Sequence, residues 1–107
     1  MPAVSRRGDI CTGHASFPPR PSIDGSENVI VGGIGALRVG DGFAVHCNPS
    51  PSCHASELGS GSSTVIVNGR GIGRVGDPVA CGSAVAKGEP TVLCNDKTPS
   101  VVIIPAE

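Results

Sequence analysis

The apolar residues of this chain fall in short β-branched runs. Val29-Ile30-Val31, Val65-Ile66-Val67 and Val101-Val102-Ile103-Ile104 are the clearest, and Gly, Pro or Asn stands within a few positions of each. Val and Ile suit pleated strands, whereas frequent Gly and Pro break helices and mark turns. No amphipathic 3.6-residue pattern survives that density of breakers, so the pattern predicts an all-β chain of short hairpins and loops.

Two of these runs belong to an internal repeat. "VIVGGIGALRVGD" (29–41) and "VIVNGRGIGRVGD" (65–77) agree at nine of thirteen positions without a gap, 36 residues apart. Each copy has a Val-Ile-Val strand, a two-residue centre (Gly32-Gly33 or Asn68-Gly69) and a return segment ending in Arg-Val-Gly-Asp. Gly-Gly and Asn-Gly supply the positive φ values of tight turns, which predicts a β-hairpin for each copy. A half-copy opens the chain at Arg6-Arg7-Gly8-Asp9, and another closes it at Pro90–Asp96 ("PTVLCND"), matching "STVIVNG" from Ser63. Splicing end to beginning gives a third equivalent and predicts a pseudo-threefold object. Arg7-Gly8-Asp9 spells an adhesion tripeptide, but the other copies read Val-Gly-Asp there, so the repeat accounts for it.

Composition narrows the functions. Sixteen Gly, ten Pro, two Phe (Phe17, Phe43) and no Trp or Tyr leave few large anchors for a core. A net charge of −1 and a pI near 6.3 give no basic field, and aromatic stacking platforms are lacking, so nucleic-acid binding is not expected. The Arg-containing N-terminus has no apolar run behind it, and no stretch approaches the ~20 apolar residues of a membrane span. The expectation is one domain over 1–107, made in the cytoplasm without a signal peptide and carrying no appended effector domain.

Five cysteines, an odd set in a chain expected to start in a reducing compartment, argue against a disulfide framework as the first reading. Metal ligation is the alternative. Asp9 is followed five residues later by His14, Asp41 five later by His46, and Asp77 four later by Cys81. Three equivalent turns thus each present a ligand of the type zinc accepts, and His54 supplies a fourth. The stretch "HCNPSPSCH" (46–54) does not make a site alone, because adjacent residues on an extended chain point to opposite faces. The candidate set is His14, His46, His54 and Cys81, with zinc as the expected ion and iron compatible with the same donors. The remaining cysteines, Cys11, Cys47, Cys53 and Cys94, read as small packing residues, with a local Cys47–Cys53 disulfide as the minority alternative. Asp9, Asp41 and Asp77 are expected to bond backbone amides within their own turns rather than to support metal ligands.

The two copies of the repeat, together with "TGH" (12–14), Cys53-His54 and "GDPVACG" (76–82), resemble the PAAR-repeat family, the tip proteins of contractile injection machines such as type VI secretion systems and related phage tails. The Arg-Val-Gly-Asp end of the family element is present in both copies, while its Pro-Ala-Ala start is replaced by Gly35-Ala36-Leu37 and Gly71-Ile72-Gly73. The resemblance implies a cone of hairpins and loops whose base caps the trimeric β-helix of a spike, one tip per trimer. It also implies a zinc ion near the vertex held by His14, His46, His54 and Cys81, and transient contact with a target cell envelope. Strand edges at the base would continue the β-structure of the spike, and the C-terminal Val101–Glu107 run reads either as a base strand on the spike or as a final core strand.

Two other functions fit a three-histidine, one-cysteine cluster. A small zinc hydrolase would need Cys81 off the metal and a general base; Glu57 and Glu89 are available, but neither lies in a H-E-x-x-H pattern. A free structural zinc module would differ from a spike tip only in its partner.

Overall fold

The computed structural model of the protein describes residues 1–94, and the Val101–Glu107 run lies outside the described residues. Among the described residues there is no helix. Eight strands pair as four antiparallel two-stranded ribbons: β1 (Ala3–Val4) with β8 (Glu89–Leu93), β2 (Ile30–Val31) with β3 (Ile34–Gly35), β4 (Gly42–Asn48) with β5 (Ser52–Glu57), and β6 (Ile66–Val67) with β7 (Arg70–Gly71).

The expected hairpins form where the sequence places them. Gly32 and Gly33 have φ of 57° and 83°, and Asn68 and Gly69 have 54° and 80°, so both two-residue turns use the left-handed region throughout. A third hairpin is assembled from opposite ends of the chain. Ala3 stands opposite Leu93, where the other two ribbons set Gly35 opposite Ile30 and Gly71 opposite Ile66. The two half-copies therefore meet as one repeat equivalent.

The strands after the hairpins close a ring of backbone hydrogen bonds. Ser5 N–H donates to Gly73 O (2.9 Å), Gly73 N–H to Leu37 O (2.7 Å), and Leu37 N–H to Ser5 O (3.0 Å). Two residues further along, Arg7, Val39 and Val75 donate in the opposite cyclic order to Gly35, Gly71 and Ala3, each at 2.9 Å. Three equal side chains cannot share the centre of such a ring. The three positions hold Ser5, Leu37 and Gly73, and a Cβ on Gly73 would lie 2.8 Å from Leu58 Cδ2 and 3.0 Å from Leu37 Cδ2. One large residue fills the axis because its two counterparts are small.

Two small cores sit on either side of this ring. One contains Val31, Val67 and Cys94 with Val4, Ala36 and Ile72, two sets of three repeat-equivalent residues. The other contains Cys11, Phe43 and Val79 with Leu37, Leu58 and Val85. Backbone bonds from Ser22, Leu58 and Val85 to Asp9, Asp41 and Asp77 carry the same threefold relation into this second layer.

Between the layers run the Arg-x-Gly-Asp turns. Asp9, Asp41 and Asp77 each accept the backbone N–H of the Arg three residues earlier, at 2.8 to 2.9 Å, and each also accepts that residue's guanidinium. All three aspartates are buried, so the carboxylate of Arg7-Gly8-Asp9 is committed to Arg6 within the fold. The Arg74–Asp77 pair is the deepest, with side chains 2% and 1% exposed. Pairing of this kind holds the arginines charged: Asp9 raises the pKa of Arg6, and Asp41 that of Arg38, chiefly through side-chain hydrogen bonds.

Candidate metal centre

Each repeat equivalent leaves its hairpin, crosses the first core and the ring, makes its Arg-to-Asp turn, passes the second core and then reaches a candidate ligand. His14, His46 and Cys81 therefore lie at the end of the molecule opposite the three hairpins. His54 joins them because β4 and β5 continue outward beyond the second core as a longer hairpin.

Alternation along that hairpin sorts the "HCNPSPSCH" stretch. His46 stands directly opposite His54, and Cys47 directly opposite Cys53. The two histidines share one face and the two cysteines the other. Cys47 and Cys53 form a disulfide on the exposed face. The packing reading of these two residues is thus corrected, since directly opposed ladder positions on one face bring the two sulfurs within bonding reach. Cys11 and Cys94 are buried and stand outside the disulfide, as expected for packing residues.

His14 is set by a tight loop. Its N–H donates to Phe17 O (3.1 Å) and Phe17 N–H donates back to His14 O (2.8 Å), with Ala15 at φ 47° between them. Phe17 then lies against all three imidazoles, with ring centroids 4.8 Å from His14, 5.0 Å from His46 and 4.3 Å from His54. Cys81 occupies a second tight loop, closed by Gly82 N–H to Val79 O and Val79 N–H to Ser83 O, each 2.9 Å. Phe17 had no signal in the repeat pattern; its place three residues after His14 is the one sequence hint of its role.

The four candidate residues come together, their potential ligand atoms lying within 4.8 Å of one another. His54 Nε2 is 2.7 Å from His46 Nε2 and 3.1 Å from His14 Nε2. An imidazole nitrogen carries either one N–H or one lone pair in the ring plane, so a single Nε2 cannot make good hydrogen bonds to both neighbours. A shared cation resolves that convergence. His46 is already in the matching tautomer: its Nδ1 lies 2.9 Å from the carbonyl oxygen of Pro18, which can only accept, so Nδ1 carries the proton and Nε2 the lone pair.

Electrostatics point the same way. Partial removal from solvent, with repulsion from His46 and His14, holds the pKa of His54 below its usual value, which favours the neutral form that ligation requires. Three imidazoles and one thiolate can fill all four positions of a tetrahedral metal, the set found at closed structural sites. Glu57 and Glu89, weighed above as general bases, are placed otherwise. Glu57 is exposed at the end of β5, and Glu89 bonds Arg6 (3.1 Å) and caps Thr91 at the start of the third hairpin.

Comparison with known families returns a match to the PAAR motif over residues 12–87 and again over 50–102. No curated protein matches the chain.

Proposed function

Because the chain belongs to the PAAR-motif family, we propose that it is the structural tip of a contractile injection system or phage tail, capping a trimeric β-helical spike and sharpening it for the target envelope. The observation that carries this reading is the outer face of the three hairpins. Ile30, Ile66 and Leu93 hold the same register position and are 55%, 54% and 53% exposed. Their neighbours Val29, Val65 and Val92 are 36%, 40% and 37% exposed.

Six large apolar side chains in three matched pairs are costly to leave in water, and their arrangement fits a partner with threefold symmetry. A single chain that repeats itself three times can meet three identical chains with one contact each. The short strands there also offer backbone groups that can continue a β-structure and be covered by it.

At the other end, zinc is the ion that best suits three nitrogens and one sulfur, and His14, His46, His54 and Cys81 would hold it. Its role would be structural. A bound zinc ties the loop of His14, the β4–β5 hairpin and the loop of Cys81 to one point, replacing large core side chains that this composition lacks. The metal-bearing end is then resistant to fraying when the spike is driven forward. With Cys81 among the four ligands and Glu89 engaged by Arg6, the arrangement favours this role over hydrolysis.

The test is co-purification with the C-terminal β-helix of a trimeric spike, together with the metal content of the isolated tip. The expected results are a stable complex and one zinc per chain.

A further inference from the structure

The β4–β5 hairpin carries two of the four candidate ligands on an outer segment that is poorly tied to the rest of its ladder. Its register is regular at His46–His54, Cys47–Cys53 and Asn48–Ser52, but it shifts between Phe43 and His46. Beyond the shift, the segment ends in the Pro49-Ser50-Pro51 turn, where Asn48 Oδ1 accepts from Ser50 N–H (3.2 Å), Ser50 Oγ (2.8 Å) and Ser52 N–H (2.7 Å). The covalent tie within this outer segment is the Cys47–Cys53 disulfide, one residue beyond the paired histidines and on the exposed face. Of the other cysteines among the described residues, Cys11 and Cys94 are buried and Cys81 lies in the candidate metal centre.

We infer that Cys47 and Cys53 are a redox-dependent clamp on the metal-binding hairpin, oxidised by exchange with a small-molecule disulfide, and that the clamp slows release of the metal. The inference rests on His14, His46, His54 and Cys81 being metal ligands. In the exchange, one of the two sulfurs attacks a disulfide RSSR, forming a mixed disulfide and releasing one RSH. The second sulfur then displaces the remaining half, giving the Cys47–Cys53 bond and a second RSH. Two electrons and two protons pass from the protein to the small disulfide, so the step needs no other oxidant.

The consequence follows from the opposed faces of the ladder. Where the metal is released by opening of this hairpin, the outer strands separate or twist; a bond between positions 47 and 53 resists that by keeping positions 46 and 54 opposed. The metal can hold the hairpin in a reducing compartment, and the disulfide adds to it under oxidising conditions.

The experiment uses the full chain loaded with zinc, equilibrated either with oxidised glutathione or with a phosphine reductant. Disulfides are mapped by peptide mass, and zinc release to a chromogenic chelator is timed. The expected result is a Cys47–Cys53 disulfide in the oxidised sample and zinc release slower by about fivefold or more than in the reduced sample. C47S/C53S should release at the reduced wild-type rate under both conditions, and circular dichroism checks that it folds; the wild-type comparison stands without it. Bound zinc with a smaller rate difference, thiols that stay reduced, or oxidation that recruits Cys81 and expels zinc would each overturn the clamp alone. Absence of zinc from both samples would overturn the ligand assignment and the clamp with it.

Discussion

His46 donates its Nδ1 proton to the carbonyl oxygen of Pro18 at 2.9 Å, which turns its Nε2 lone pair toward His54. That one hydrogen bond sets the tautomer required for ligation before any ion arrives. Replacing His46 with alanine removes both the ligand and the link to the Pro18 carbonyl. Zinc at a thousandfold excess over its Kd should stabilise the wild-type protein by about 4 kcal/mol. In His46→Ala most of that gain should vanish, read as the shift in thermal midpoint on adding zinc; an undiminished shift would place the ion elsewhere.

Acid should weaken the metal-free fold. The pKa of His54 lies below its usual value of 6.5 in the folded chain, so the native state binds fewer protons than the unfolded state in that window. The contribution is fully present above the unfolded pKa and is lost as the pH falls through 6.5 toward the depressed folded value. Urea midpoints of metal-free protein should therefore be lower at about pH 5.5 than at about pH 8, with a smaller difference in His54→Gln. A midpoint that rises on acidification in this window would contradict the burial and repulsion assigned to His54.

The three Arg–Asp turns are alike in bonding and unlike in depth. Arg74 and Asp77 are 2% and 1% exposed, against 13% and 7% for Arg6 and Asp9. Removing one member of a deeply buried pair strands the other, at a cost of about 3–5 kcal/mol. Asp77→Ala should approach that cost in urea unfolding, and Asp9→Ala should cost less. An equal or larger loss at Asp9 would show that depth does not set the energy of these turns.

Much of this architecture is legible in the sequence. Val-Ile-Val before Gly-Gly and Asn-Gly gave two hairpins, and the match of Pro90–Asp96 to the strand at Ser63 anticipated the pairing of β1 with β8. Strict alternation separated His46 and His54 from Cys47 and Cys53. Other features leave little trace in the residues. The Ser5–Leu37–Gly73 ring is made by backbone atoms, and its three side chains differ because only one large residue fits on the axis. Pro18 contributes a carbonyl, which any residue possesses. The disulfide leaves a weak trace, because an odd set of cysteines in a reducing compartment argues against pairing, and the direct opposition of positions 47 and 53 depends on a turn length that the Pro-Ser-Pro sequence alone does not define.

The hairpin face should tolerate no charge at any of its three equivalent points. Ile30→Asp, Ile66→Asp and Leu93→Asp place a carboxylate at matched, half-exposed positions and should leave the isolated fold intact. Each should weaken spike binding by about 2 kcal/mol, or roughly thirtyfold in Kd. Near-equal losses support a pseudo-threefold contact, and a loss confined to one position would contradict it.

The mass of the purified complex between this chain and a trimeric β-helical spike tests the central claim most directly. A pseudo-threefold tip on a threefold spike predicts one copy of this chain for every three spike chains. Three copies per trimer, or no complex with any such spike, would contradict it.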